Sequence, residues 1–258
     1  MEQLNKRMEI NGISKTFYSD KGYFTAIKDV SFDVNDGEFL VILGPGRCGK
    51  TVLLNIIAGL EQQTEGKVVY NGREWKGVNP EISMVFQKLA LMPFKTVMEN
   101  VELGLKFRGM SKGQRREIAQ HYIELVGLKG FEKSYPTQLS GGMKQRVSFA
   151  RTLLSGADML LLDEPFSALD YLTRVEMQEW LLEQWEHYHK TILFITHDVE
   201  EAVFLSKKIF VIQDRPFSSM EMVEVPLPAH RDRNDLKKPE IVDLKERLIG
   251  KLRRSVRL

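Results

Sequence analysis

The 258-residue chain carries 37 Lys and Arg against 35 Asp and Glu, a formal net charge of +2. That balance leaves no basic excess to neutralise a phosphate backbone and argues against a nucleic-acid-binding protein. The length suits one large domain, or a core with an inserted lobe, and the single cysteine, Cys48, excludes an internal disulfide and fits a reducing compartment.

Taken in chain order, residues 8–43 alternate in strand fashion between turn signals at Asn11-Gly12, Asp20 to Gly22 and Asn35 to Gly37. Val68-Val69-Tyr70 followed by Asn71-Gly72 predicts a hairpin, and Ile82 to Phe86 a buried strand. From about 94 to 138 the pattern is helical and polar, and Pro136 marks its end. Three short apolar runs follow, Met159–Leu162, Thr191–Ile195 and Ile209–Ile212. Short runs without alternation are what strands buried on both faces of a parallel sheet look like, and the helical segments between them imply right-handed crossovers. After Pro239, Ile241, Leu244, Leu248 and Leu252 recur at helical spacing and predict an amphipathic cap helix. The opening Met1–Ile10 has no apolar core of the kind a signal peptide needs, and no apolar run approaches about 18 residues, so neither a leader nor a membrane span is expected. The expectation is a soluble, cytoplasmic chain able to dock on a membrane protein.

The apolar run Phe39–Leu43 leads into Gly44-Pro45-Gly46-Arg47-Cys48-Gly49-Lys50-Thr51, the pattern G-x-x-x-x-G-K-[ST] between a strand and a helix. Amide groups at a helix start lack intrahelical partners and sit at the positive end of the helix dipole, so a loop that wraps them around one point holds phosphate. Gly44, Gly46 and Gly49 allow close backbone approach, Lys50 reaches the β- and γ-phosphates, and Thr51 places its hydroxyl on Mg²⁺. Further on, Leu160-Leu161-Leu162 ends in Asp163-Glu164. An Asp at a strand tip beside a phosphate loop is the expected holder of Mg²⁺, and the adjacent Glu is placed to polarise an attacking water.

Leu139-Ser140-Gly141-Gly142-Met143-Lys144-Gln145-Arg146 supplies a second anion site, with Ser140 as a helix N-cap and two glycines leaving the first-turn amides uncovered. With this segment the chain resembles the nucleotide-binding subunits of ABC transporters, whose signature is LSGG-x-x-QR. The resemblance spans essentially the whole chain, with the motifs in the family's order: Gln87 in Val85-Phe86-Gln87 as the Q-loop, the signature at 139–146, the strand 159–164, the D-loop Ser167-Ala168-Leu169-Asp170, and His197 in Thr196-His197-Asp198 as the switch histidine. It implies an α/β fold, a P-loop ATPase core with a mostly parallel sheet. An N-terminal antiparallel β subdomain would join that core over about 8–86 and 140–225. An inserted helical subdomain would span about 88–139, and a cap helix about 239–254. It implies ATP and Mg²⁺ as ligands, with Thr51, Gln87 and Asp163 at the metal. Glu164, His197, Lys50 and Gln87 would carry the catalysis. Phe17 would stack on adenine, with Tyr18 an adjacent competitor and a core role for Phe17 the alternative. The nucleotide would further touch Gly44 to Val52, Gln87, Ser140, Gly141, Gly142, Gln145, Asp163 and Asp170.

In that family two subunits face head to tail, and the signature of one closes over the nucleotide held by the other. The implied partners are therefore a second ATPase subunit, expected as a homodimer, a transmembrane permease, and indirectly a solute-binding protein. Nucleic acid is not among them. The place implied is the cytoplasmic face of the cell membrane. Leu89 to Phe94 form an apolar stretch suited to a permease segment. The tail, with Val225-Pro226-Leu227-Pro228, Arg231-Asp232-Arg233 and the helix 242–252, is similar to nitrate/sulfonate/taurine-type importer ATPases. The sequence leaves the solute open, thiamine-precursor-like cargoes included. Soluble ABC ATPases with coiled coils fit poorly, since Thr51 and Ser140 lie only 89 positions apart without sustained heptads. One cassette speaks against two-cassette translation-associated proteins. Intact Lys50, Asp163, Glu164 and His197 speak against a binding-only cassette.

Three features depart from the pattern. Arg47 stands in the loop where Gly is usual, at a cost if φ is positive. Val52 replaces a hydroxyl residue, with a loss of about 0.5–1.5 kcal/mol for the missing hydrogen bond. The turn Arg215 to Ser219 has no account in the sequence. Cys48 lies near a helix start, where a thiol pKa tends to fall, so either its alkylation blocks nucleotide binding and ATP protects it, or it is only a small filler residue.

Overall fold

The computed structural model describes residues 5–20, 22–86, 90–228 and 230–256. The chain divides into two compact units, residues 1–79 with 178–258, and residues 80–177.

In the first unit, β1 (Lys6–Ser19) and β2 (Gly22–Asn35) form a long antiparallel pair, to which β4 (Glu65–Tyr70) and β5 (Arg73–Trp75) add in the order β2-β1-β4-β5. The β4–β5 turn is the one read from Asn71-Gly72, and both residues have positive φ, 48° and 74°, as a two-residue hairpin turn of this hand requires. A second sheet runs through the same unit. In it β3 (Phe39–Leu43) lies parallel between β8 (Thr191–Thr196) and β9 (Lys208–Ile212), and β10 (Met220–Glu224) closes the edge antiparallel to β9. All residues of β3 and β8 are buried, the reason their sequences run apolar without alternation. Phe39 packs edge-on against Trp185 and beside Phe194, and Phe32 against Phe210. α1 (Lys50–Ile57) follows β3, and α7 (Val199–Leu205) follows β8. The tail helix α8 (Pro239–Val256) buries Ile241, Leu244 and Leu248, as its spacing predicts.

The second unit pairs β6 (Ile82–Val85) with β7 (Met159–Asp163) in parallel. α5 (Gly141–Leu153) packs on β6, and α2 (Val97–Val101), α3 (Leu103–Phe107) and α4 (Lys112–Leu125) pack on one another and on α5. Thr96 and Glu99 form a capping box at the start of α2. The helical stretch ends earlier than read, since α4 stops at Leu125, residues 126–135 run as turns and irregular chain, and only one 3₁₀ turn at 136–138 precedes α5. Phe149 and Phe166 stack at 5.5 Å between ring centres. α6 (Tyr171–Tyr188) leads the chain back into the first unit. The fold class is the α/β arrangement of parallel strands and antiparallel β subdomain that the sequence implied. Among the described residues no helix is long and apolar enough to cross a membrane.

Candidate functional site

The phosphate loop starts where β3 ends. Leu43 pairs with Thr196 of β8, and Gly44 N donates to Thr196 O at 3.2 Å, so residues 44–51 and His197 emerge at the same end of neighbouring strands. α1 begins at Gly49 in left-handed conformation, φ 106°, with no side chain capping its first amides and no acidic residue in its first turn. A Cβ on Gly49 would lie 2.8 Å from Ala26 O, so glycine is required there on two counts. A Cβ on Gly46 would meet nothing within 4 Å, so this side of the loop is open to a ligand. Lys50 is buried, and its Nζ donates to the carbonyls of Gly44 at 2.8 Å and Pro45 at 2.7 Å. An uncapped helix start, an open glycine face and a central ammonium together fit a polyphosphate. Thr51 is exposed at the first turn and Val52 half-buried beside it.

Arg47 takes φ 62°, the strained case foreseen for it. Of the two readings of Cys48, its burial favours the filler. The thiol is buried, and burial raises its pKa, only partly offset by the neighbouring Lys50 and Arg215 cations. The helix-start effect loses to desolvation, so this is a small packed residue and not an activated nucleophile.

The turn that the sequence left unexplained belongs to this site. After β9, Arg215 and Pro216 are joined by a cis peptide, and Arg215 Nη2 donates to Gly46 O. The turn is stitched to β2: Phe217 N donates to Ala26 O at 3.1 Å and Lys28 N to Phe217 O at 2.8 Å. Phe217 is fully buried. Sequence reasoning missed Arg215. The only available signal was an Arg-Pro pair just beyond a buried strand.

A cavity of about 750 Å³ opens on the outer side of the loop, lined among others by Thr16, Tyr18, Tyr23, Arg47, Cys48 and Arg215. Phe17, the residue read as the adenine platform, is not in that lining. It is 38% exposed, with Lys15 Nζ 4.7 Å from its ring centre, whereas its neighbour Tyr18 lines the cavity.

In the second unit, Asp163 ends β7 and is buried, and Glu164 follows with φ 44°. The Glu164 carbonyl accepts from Ser167 Oγ at 2.9 Å and Ser167 N at 3.2 Å, so the turn after β7 closes on it. Ser140 caps α5 as foreseen, accepting from Met143 N at 3.3 Å. Ser140 and Gly141 are exposed and Gly142 half-exposed, which leaves this helix start open to an anion. Gln145 is buried. Asp170 uses Oδ1 to accept from Thr173 N at 3.1 Å, and hydrogen bonds from Thr173 hold its carboxyl below the ordinary aspartate value. Gln87 lies outside the described residues.

Comparison with known proteins agrees with these motifs. Residues 27–167 match the family model described as ABC transporter. An uncharacterized ABC transporter ATP-binding protein of Methanocaldococcus jannaschii is 42% identical over 99% of this chain and 94% of its own length. The nitrate import ATP-binding protein of Synechocystis is 40% identical over 87% of this chain and 85% of its own. A solved dimeric bacterial ABC transporter cassette is 31% identical and superposes with a TM-score of 0.78 over 86% of this chain and 100% of its own. The chain belongs to the ABC transporter family.

Proposed function

We propose that this chain is the ATP-hydrolysing motor subunit of an importer for a small anion of the nitrate, sulfonate or taurine kind. The observation that carries the reading is the phosphate loop with its uncapped helix start, central Lys50 and adjoining strand-tip His197, in a chain that also bears the LSGG segment. The nitrate-importing relative and the Pro-rich tail support the cargo class.

The loop amides and Lys50 bind and orient the triphosphate. Thr51 and Asp163 are the residues that would hold Mg²⁺, which neutralises charge on the phosphoryl oxygens when bound. Glu164 orients the attacking water and accepts its proton, and His197 stabilises charge developing on the γ-phosphate. The Asp163 oxygens and the Thr51 hydroxyl are hard donors of the kind Mg²⁺ selects. Ser140, Gly141 and Gly142 meet the nucleotide of a second copy, so ATP bridges a homodimer and hydrolysis releases it. The dimeric cassette relative supports this arrangement.

Phosphate release by the purified protein, alone and with its permease, tests the reading. Glu164→Gln is expected to keep ATP affinity, slow turnover by ~10²-fold or more and accumulate an ATP-bound dimer in size-exclusion chromatography. Turnover at the parental rate, or no dimer with ATP, overturns the assignment.

A further inference from the structure

His197 sits between two residues that are fixed by an unbroken line of buried side chains. Asp198 N donates to Thr196 Oγ1 at 2.9 Å, and the Thr196 hydroxyl donates to Glu201 Oε2 at 2.6 Å. Glu201 Oε1 accepts from Gln178 Nε2 at 3.0 Å, and Gln178 Oε1 accepts from Arg233 Nη2 at 2.5 Å. Thr196, Glu201 and Gln178 are each at most 5% exposed. Arg233 also lies 4.0 Å from the Phe204 ring centre, so the tail segment is clamped onto α7. Each donor in this line meets an acceptor, and reversing its one side-chain amide, Gln178, would set oxygen against the buried Glu201 carboxylate and nitrogen against Arg233.

We propose that Glu201 is a positioning residue for His197. Resting on the function proposed above, it fixes the main chain on both sides of the histidine through Thr196, and Gln178 and Arg233 fix Glu201 in turn. The backbone at 196–198 sets the point from which the imidazole leaves the chain, because only His197 and Asp198 separate β8 from α7. A shift of about 1 Å in a group that stabilises a transition state costs up to ~10²-fold in rate while leaving ground-state binding intact.

The test uses full-length protein, with steady-state phosphate release for kcat and fluorescent-nucleotide titration for affinity. Glu201→Gln leaves either the Thr196 hydroxyl proton or Gln178 Nε2 without its acceptor. It is expected to lower kcat by ~10-fold with nucleotide Kd within about twofold of the parent. Because Glu201 is buried, a paired variant guards against general misfolding. Glu201→Gln with Gln178→Glu restores every donor to an acceptor, with Arg233 facing the new carboxylate, and is expected to recover kcat to within ~3-fold of the parent. In a His197→Ala background, Glu201→Gln is expected to change the residual rate by less than about twofold, since the group it positions is gone. Three results overturn the proposal: parental kcat in Glu201→Gln, no recovery in the paired variant, or the same fractional loss with and without His197. A His197→Ala protein that turns over at the parental rate would instead sink the role given to the histidine itself.

Discussion

Arg47 and Cys48 show how single residues in one loop are decided by competing effects. At φ 62° Arg47 holds a conformation that L-residues occupy at a cost of about 1–3 kcal/mol, and its side chain is exposed, so packing returns little of it. Arg47→Gly is therefore expected to stabilise the protein by about 1 kcal/mol, seen as a melting temperature about 2–4 °C higher by calorimetry. An unchanged or lower melting temperature would mean that the guanidinium makes a compensating contact. Both residues carry a lesson about legibility. The sequence could pose the question of positive φ at Arg47, because the usual glycine was missing. It could not choose between a reactive thiol and a filler at Cys48, because proximity to a helix start is visible in sequence, whereas burial is not. The same limit applies to Phe17 and Tyr18. Two adjacent aromatics on a strand point to opposite faces, and only the structure shows Tyr18 on the cavity side.

At the scale of elements, the places of the buried strands along the chain were legible, because buried parallel strands announce themselves as short apolar runs ending in polar tips, whereas their order in the sheet was not. β3, β7, β8 and β9 each appear where such a run stands. Turns that act over long sequence distances were not. Arg215 and Gly46 are far apart in the chain, and nothing local connects them. The turn after β9 acts as a brace: Phe217 anchors it to β2, and Arg215 caps a carbonyl of the phosphate loop. Arg215→Ala removes that cap while leaving the Phe217 anchor in place. The loss of one hydrogen bond from a charged donor is worth about 1 kcal/mol at an exposed site, so ATP Kd should rise by ~5-fold with kcat changed little. Equal Kd for parent and variant would show that the loop holds its shape unaided.

For the whole molecule, the family and its motor role follow from motifs spread over both units, whereas the meeting of subunits and membrane partner lies beyond any one chain. Within the second unit, Phe94 is 71% exposed and Met92 37% exposed, on a loop that Asn100 pins by donating to Met92 O, Lys95 O and Thr96 O. An apolar surface on a rigid loop suits a helix laid into a groove. Phe94→Asp is expected to leave the ATPase rate of the isolated subunit within about twofold and to abolish the permease-stimulated increment in a reconstituted vesicle assay. Full stimulation by that variant would place the docking surface elsewhere. The backbone at Glu164 has a further bearing on the history of such a protein. With φ 44°, this position would be more comfortable as a glycine, yet the general-base role proposed for Glu164 needs its carboxylate there. Laboratory evolution that rewards heat tolerance alone would drift toward a sturdier cassette that no longer fires, so any thermostabilised descendant must be bred under a demand for uptake as well.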